Sequence, residues 1–579
     1  MNWRHAKVSH GIVFFVIATM FLICTQVGWA EKAKEGSKSS AASNLPQIAM
    51  PDAVPVEEAI GYIRVKNLPN VVGTLDKWAS MLNPQMAAGS IKAMVGQYMG
   101  DPTMGGIDSS RPLLVLLLNP KKYTNPLVLY LPVTQPEKIQ KGIQDKGSFT
   151  VLKEKTIIAG DDQPSVMKGV EVWSKVKPLA SQSMDTDGLF FADVDRIMSV
   201  YGADIDQKIK EFQSQLSMMQ QQTGQQGMAV QQKQMQAQMD AILKLVKEIK
   251  TFALKADVKG QGLVTTVLME AKPQTDLAGL YSIKSADHHS LIQFVPNGAL
   301  KASFSGDPES VAEFGSKMTD SFLQKGGMLT PEKIQKVKKY QTLQKEALSG
   351  EVAVSLFGPQ ASGINGVQMY RIKDAKKALE MIRQAAEQVT MASNPAQGLT
   401  VTADFKEKAR KVGDVDVHTM SVTITSTNPM AAQWMMMFLP GGKMNLEMAI
   451  VNDVMIYAFG TSVDQSINSL KSGMGATSLN AFSKFPKNGN VYADIDLIGT
   501  IKSIFGPMFA MMAQMMGPGQ NPMDALNKVS APPVTFFATM HDGRMMAKGN
   551  LLLETVLKIK EAFSSMMPQP PQTAPQQQM

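Results

Sequence analysis

The sequence predicts an α+β fold of two tandem homologous halves with mainly antiparallel sheet, and a repeated phrase is the first of three observations behind this prediction. The phrase is GLFFADVDRIMSVYG at residues 188–202 and GNVYADIDLIGTIKSIFG at residues 489–506. Both copies run from a glycine through apolar residues to Ala-Asp-Val/Ile-Asp and then into an amphipathic stretch. This order is typical of a strand that leads into a helix, so its recurrence indicates a duplicated unit.

Strand-rich segments around the two phrases repeat in the same order, which is the second observation. Before the phrase, residues 149–160 and 448–460 each contain two β-rich runs around a polar turn. After the phrase, residues 252–271 and 535–554 each predict a β-hairpin. The shared order indicates that one module was copied along the chain.

The third observation is that hairpins alternate with helical patterns, which predicts an antiparallel α+β arrangement in each half. The strand-then-helix pattern of residues 127–143 returns at 367–383, about 240 positions later, whereas the later repeats lie about 300 positions apart. We therefore place the first half at residues 56–285 and the second at 286–566. The change in spacing predicts an insertion at about 384–447 in the second half.

A heptad pattern predicts a protruding antiparallel helical hairpin at residues 203–250 of the first half. Apolar residues recur at spacings of three and four on two arms, and the polar segment 220–232 separates the arms. The apolar positions are Ile205, Ile209, Phe212, Leu216, Met219, Met235, Met239, Ile242, Val246 and Ile249.

Residues 1–30 predict a secretory signal peptide, with a basic start, an apolar core at 12–24, and Gly28 and Ala30 before the cleavage site. The alternative is an uncleaved membrane anchor, but the core is shorter than the ~20 residues of a typical span. The sequence therefore predicts export to the periplasm or cell surface, with no transmembrane span after cleavage.

The rest of the composition narrows the class of protein. Residues 31–55 predict a flexible linker, and the Pro/Gln-rich residues 567–579 predict a disordered tail. Cys24 is the sole cysteine and lies in the predicted signal, which excludes disulfides, thiol catalysis and cysteine metal sites from the mature chain. The net charge of +8 is small for a chain of 579 residues, and the basic residues form no stripe along the sequence, so nucleic-acid binding is not predicted.

Paired aspartates are the main candidates for chemistry. Asp193 and Asp195 recur as Asp494 and Asp496 in the second copy of the phrase. Two carboxylates at i and i+2 on a strand could hold a hard cation. The alternative is that they cap the following helix, with the second aspartate as the N-cap, and we favour this interpretation because both copies keep the pair.

Other catalytic patterns are missing from the sequence. No His-x-x-x-His or His-Glu-x-x-His spacing occurs, and no Gly-x-Ser-x-Gly elbow occurs. Ser165 and Lys168 have Ser-x-x-Lys spacing, but the accompanying Lys-Thr-Gly and Ser-Asp-Asn motifs are absent. The sequence therefore predicts no enzyme activity, no cofactor and no metal.

Methionine is unusually frequent, with 43 residues, and clusters at 434–440 and 508–516. These clusters could be core packing, an adaptable surface for a lipid, peptide or protein, or a copper(I) site built from thioethers. Flanking glycine and proline favour exposure. The candidate apolar contact surface is Trp434, Met435, Met436, Met437, Phe438, Met508, Phe509, Met511, Met512, Met515 and Met516.

The opening GYIRVKNLPNVVGTLDKW, at residues 61–78, resembles the start of a family of large exported bacterial proteins of unknown function. In that family a signal peptide precedes duplicated α+β halves. The resemblance implies an envelope location and no established catalysis, and it transfers no functional residues to this chain.

These observations favour a noncatalytic exported envelope protein that binds a protein partner or an apolar ligand. One alternative is an envelope enzyme that uses Asp193, Asp195, Asp494 and Asp496. Another is a structural envelope component that forms oligomers through the helical hairpin.

Overall fold

The fold was analysed in a computed structural model, which describes most of the chain between the two termini. It describes residues 48–83, 85–223, 243–285, 289–310, 331–360, 363–391, 393, 399–427, 440–475, 489–502 and 526–566.

In the described ranges, eighteen β-strands form one sheet. In chain order they are β1 (Ala59–Val65), β2 (Leu113–Leu118), β3 (Leu127–Pro132), β4 (Phe149–Lys153), β5 (Thr156–Gly160), β6 (Gly188–Asp193), β7 (Ile249–Lys259), β8 (Gly262–Ala271), β9 (Leu300–Ser305), β10 (Leu348–Gln360), β11 (Gly363–Ile372), β12 (Leu399–Val412), β13 (Val415–Ser426), β14 (Lys443–Val451), β15 (Val454–Phe459), β16 (Val491–Ile495), β17 (Val534–His541) and β18 (Arg544–Leu552).

Helices occupy much of the remaining described chain. They are α1 (Leu68–Leu82), α2 (Ser90–Tyr98), α3 (Pro136–Gln144), α4 (Gln163–Glu171), α5 (Trp173–Ser181), α6 (Val194–Thr223), α7 (Asp276–Leu280), α8 (Pro331–Ala347), α9 (Ala375–Thr390), α10 (Asp464–Ser472) and α11 (Leu553–Met566), with a 3₁₀ turn at Ser290–Gln293.

The strand pairings are all antiparallel, which confirms the predicted α+β class with antiparallel sheet. The first eight strands have the order β4-β5-β3-β2-β1-β6-β7-β8. The other ten have the order β12-β13-β14-β15-β11-β10-β9-β16-β17-β18. Strands β8 and β18 pair and join the two groups into one sheet.

Helices cover both faces of the sheet. We call the side that carries Tyr62 and Phe191 the front face, and the side that carries Ile63 and Phe190 the back face. In the first group α4 and α5 pack on the front face, and α1, α2 and α3 pack on the back face. In the second group α10 packs on the front face, and α8 and α9 pack on the back face.

Local sequence explains why these helices form and which side they bury. Helix α3 buries Ile139 and Ile143, four residues apart on one face of the helix. Helix α9 begins after Asp374, whose carboxylate accepts hydrogen bonds from the backbone N–H of Lys376 and Lys377 at 2.9 and 3.1 Å. Strand β2 is apolar at every position because it is covered on both faces.

The chain packs against the sheet from Ile48 onward. Ile48 and Val54 lie in the region predicted as a flexible linker, yet both are buried in the front-face core with Tyr62. Their apolar side chains explain this packing. Residues 1–47, including the predicted signal peptide, lie outside the described part of the chain.

The region of the predicted helical hairpin is described in part. Helix α6 covers the first arm, and residues 243–248 of the second arm are helical. Lys247 Nζ lies 2.8 Å from Asp206 Oδ1 of α6. The prediction is wrong for Ile249, which begins strand β7 and pairs with Ala271. Residues 224–242, with the predicted tip, lie outside the described residues.

The predicted strand pair of the insertion at 384–447 is present as β12 and β13.

None of the helices in the described ranges has the length and hydropathy required to span a membrane.

Candidate functional site

A continuous apolar row crosses the back face of the central strands. Ile63 lies opposite Phe190, which lies opposite Leu254, and Leu254 lies opposite Val267 at the seam with the second group. Side chains directly opposite on an antiparallel pair share one face of the sheet. We call the complete row the apolar band, and it consists of Ile63, Phe190, Leu254, Val267, Ala547, Ala538, Val491 and Phe304.

The larger side chains of the apolar band are accessible to solvent. Ile63 is 36% exposed, and Phe190, Leu254 and Val267 are half-buried. On the front face of the same strands, by contrast, Phe191 is only 1% exposed. The same strands thus have a sealed front face and an incompletely covered back face. Exposed apolar area of this kind marks interaction surfaces.

In the described part of the chain, helices contact these strands near both of their ends. At one end α1 and α11 contact each other, and they also contact β7, β8 and β18. At the other end Leu277 and Tyr281 form a cluster with Met269 and Met545. The apolar band lies between these contacts and presents a row of hydrocarbon side chains. Such a surface is suited to an acyl chain or to an apolar segment of a partner.

The Met-rich candidate surface cannot be placed relative to the apolar band. Trp434, Met435, Met436, Met437 and Phe438 lie outside the described residues, as do Met508, Phe509, Met511, Met512, Met515 and Met516. Their role in a contact surface stays a prediction.

Three of the four candidate aspartates have structural contacts. Asp193 caps α6, because its Oδ1 accepts a hydrogen bond from the backbone N–H of Arg196 at 3.0 Å. Asp496 caps the following turn through the N–H of Gly499 at 2.9 Å. The prediction that the second aspartate is the cap is confirmed for Asp496 in the second copy, but it is wrong for the first copy, where the first aspartate, Asp193, is the cap. Asp195 is 61% exposed and forms an ion pair with Lys272 at 2.6 Å.

The two aspartate pairs do not converge on one centre. Asp193 ends β6 and Asp494 lies on β16, and four strands separate β6 from β16. At about 4.8 Å between neighbouring strands, the two positions are at least about 24 Å apart. A single carboxylate site containing both pairs is excluded by this distance.

Asp494 has a different environment from the other three aspartates. It lies directly opposite Lys301 on β9, and Lys301 is only 4% exposed. Burial lowers the pKa of Lys301 to about 8, and nearby Asp494 partly opposes this shift. Burial also raises the pKa of Asp494, against the opposing effect of Lys301. Within the described residues, Asp494 Oδ1 is buried without a hydrogen-bond partner.

The lowered pKa of Lys301 predicts a stability that increases in alkali. Because the ordinary value is 10.5 and the folded value about 8, the unfolded chain binds more protons between these pH values. Relative to Lys301→Met, the wild-type protein should therefore gain about 2–3 kcal/mol of unfolding free energy as the pH rises through this window. Urea denaturation at a series of pH values measures the difference.

The control for this prediction is Lys548→Met, at an exposed position of β18. We expect this variant to follow the wild-type pH dependence. A constant difference between wild type and Lys301→Met from pH 7 to 11 would contradict the prediction.

Ser165 and Lys168 do not form a nucleophile and base. Ser165 Oγ, at the start of α4, lies 2.7 Å from Asp162 Oδ2 and 2.8 Å from the carbonyl oxygen of Asn125, and both atoms are acceptors for its single O–H. Lys168 forms ion pairs with Glu171 at 2.8 Å and Glu58 at 3.0 Å, and these hydrogen bonds raise its pKa well above the ordinary value. A general base must be unprotonated near neutral pH in order to accept a proton, and the raised pKa keeps this lysine protonated there.

The described histidines have structural neighbours. His289 Nε2 lies 2.7 Å from the carbonyl of Gly489, and Nδ1 lies 2.9 Å from Ser303 Oγ. His541 lies 3.0 Å from Asp542 at the turn between β17 and β18. In the described ranges, histidine, cysteine, aspartate and glutamate side chains nowhere form a group of three suited to a metal ion.

Sequence reasoning missed two buried polar residues that anchor the connection between the two strand groups. Glu351 is 2% exposed and accepts a hydrogen bond from the N–H of Leu291 at 2.6 Å. Asn490 is fully buried and donates to the carbonyl of Ile283 at 3.0 Å. The repeat contained a signal for Asn490, since the first copy of the phrase has Leu189 at that position.

Comparison with family models, with curated proteins and with solved structures found no match to this chain.

Proposed function

We propose that this chain is a noncatalytic exported protein of the cell envelope that binds an apolar ligand or a protein partner on the apolar band. The accessible row of apolar side chains across the back face is the observation that carries the proposal. Three of the four candidate aspartates are occupied by caps or a surface ion pair, which favours binding over carboxylate catalysis.

We infer that the sheet arose by duplication of one module. The support is that each strand of the first group has a counterpart in the same position of the second group, with β12 and β13 added at one end. The repeated phrase supplies β6 in one group and β16 in the other. The two copies are joined by the pairing of β8, in the first, with β18, in the second, so both copies contribute residues to the apolar band.

Export and the helical hairpin belong to the same proposal. The predicted signal peptide and the cysteine-free remainder of the chain support an envelope location. The contact between Lys247 and Asp206 supports a hairpin that returns to the sheet. In the structural alternative, this hairpin would carry the contacts between copies of the chain.

Charged substitutions on the back face should weaken ligand binding. Ile63 of the apolar band is 36% exposed, and Leu127, which lies beside the band on the same face of β3, is 53% exposed, so Ile63→Lys/Leu127→Lys should fold normally. We expect the double variant to bind a fluorescent long-chain fatty acid at least about tenfold more weakly than wild type, because an ammonium group would lose its water beneath the ligand. Fluorescence titration and native mass spectrometry measure binding.

The matched control is Met167→Lys on α4, where an equally exposed apolar side chain packs on the other side of the sheet. It should bind the probe as wild type does. Equal affinity in wild type and in Ile63→Lys/Leu127→Lys, or a wild-type protein that binds neither the probe nor a copurified lipid or protein, would overturn the proposed function.

A further inference from the structure

Strand β4 forms one end of the sheet and exposes apolar side chains there. Among the described residues it pairs only with β5, so the other edge of its backbone faces outward. Phe149 is 45% exposed and Leu152 is 41% exposed. An odd and an even position point to opposite faces, so both sides of this edge are apolar. Exposed sheet edges with apolar side chains favour the addition of another strand.

The opposite end of the sheet carries the features that prevent strand addition. Strand β12 pairs only with β13 within the described chain. Its Lys406, Lys408 and Lys411 side chains are 69%, 61% and 68% exposed. Lysines on an edge strand oppose pairing with a further strand, because pairing would bury or crowd their charge. Strand β4 carries one lysine, Lys153, against three on β12, so the β4 end opposes strand addition less than the β12 end does.

The second strand group shows what covers an edge of this kind. Hairpin β14–β15 has the same position as hairpin β4–β5, and both have a tight turn with a residue of positive φ, Asn452 at 53° and Glu154 at 48°. Strand β13 covers the outer edge of β14 in antiparallel pairing, from Val417 opposite Ala449 to Thr423 opposite Lys443. This comparison rests on the inferred correspondence of the two groups.

We propose that β4 pairs with β4 of a second copy of this chain, antiparallel and about a twofold axis. The pairing satisfies two identical edges at once and covers Phe149 and Leu152 of both copies. Because the three lysines of β12 oppose strand addition at the other described end, self-addition should stop at two chains, whereas two open ends would produce a filament. The sheet of the dimer is continuous across the contact, as it already is between β8 and β18.

Light scattering of the purified exported chain at tens of micromolar tests the proposal, and the expected mass is that of two chains. Phe149→Lys/Leu152→Lys should have the mass of one chain, because repelling ammonium groups would meet across the axis. Met94→Lys and Met167→Lys, at positions 65% and 52% exposed on α2 and α4, should remain dimers. Circular dichroism establishes that each variant is folded.

Single cysteines at positions 150, 151 and 152, in a chain without Cys24, provide an independent measurement. At least one should form a disulfide-linked dimer on mild oxidation, since one position must face its own copy across the axis, whereas a cysteine at position 167 should not. A monomeric wild type, or a dimer that survives Phe149→Lys/Leu152→Lys and shows no crosslink, would sink the proposal. Protection of β4 amides only by a peptide of another protein would also overturn it.

Discussion

Replacing Glu351 with alanine is expected to lower the free energy of unfolding by about 2–4 kcal/mol, because a buried N–H and a partly exposed guanidinium lose the carboxylate that accepts their hydrogen bonds. The carboxylate is 2% exposed and accepts hydrogen bonds from Leu291 N–H at 2.6 Å and from Arg371 Nε at 3.1 Å. Ser290 Oγ lies 3.2 Å from the same carboxylate. Without the carboxylate, the buried N–H of Leu291 loses its acceptor, whereas the guanidinium of Arg371, which is 25% exposed, keeps Asp453 as a partner. Urea denaturation measures the loss.

Two variants separate this effect from a general loss of side-chain volume. Glu351→Gln keeps an acceptor for Leu291 N–H but removes the charge, so its loss should be intermediate. Glu332→Ala removes a carboxylate that is 81% exposed and only 3.9 Å from its nearest cation, Lys336, and should change the unfolding free energy by less than about 0.5 kcal/mol. A loss below about 1 kcal/mol for Glu351→Ala would show that the contact is not required for stability.

The strand content of the fold could be predicted from sequence because local patterns and repetition specify it. Hairpins at 149–160, 252–271 and 535–554 have two runs of β-forming residues around short turns, and all three are present as paired strands. Pairing of β8 with β18 could not be predicted in the same way. It joins residues more than 270 positions apart, and no turn brings them together.

Alternation along a strand shows which side chains share a face but not whether anything covers that face. In β7, Phe252 and Leu254 lie on one side, and Lys255 and Asp257 lie on the other. The sequence alone would place the charged side outward and the apolar side in a core. In the structure Ala253, on the charged side, is fully buried, whereas Leu254 is half-buried. Coverage depends on where distant helices such as α5 and α11 pack, and periodicity carries no information on that.

Buried polar residues were the hardest to identify, because their partners lie far away in the chain. Glu351 bonds to residues 60 and 20 positions away, and neither spacing forms a motif. Lys301 reads as an ordinary strand lysine until its neighbours on β10 and β16 are known. Comparison of the two copies was the available signal, since a polar residue in one copy that replaces an apolar residue in the other requires a partner.

Asn490 is a polar residue of this kind, because it stands where the first copy has Leu189. Its Nδ2 donates to the carbonyls of Ile283 at 3.0 Å and Ser305 at 3.4 Å, and its Oδ1 accepts from the N–H of Met540 at 2.7 Å. Asn490→Ala should lower the unfolding free energy by about 2–4 kcal/mol, because buried backbone groups on three segments lose their partners. Thermal and urea denaturation measure this loss.

Asn490→Leu distinguishes hydrogen bonding from packing, because it installs the residue that the first copy carries at Leu189, where the side chain is 6% exposed in the front-face core. If volume alone mattered, leucine would restore most of the stability lost in Asn490→Ala. We expect it to restore less than about half, since the N–H of Met540 and the carbonyl of Ile283 remain unpaired beside an apolar group. A leucine variant as stable as wild type would mean that Asn490 does not anchor the connection between the strand groups. The two copies would then be interchangeable at this position.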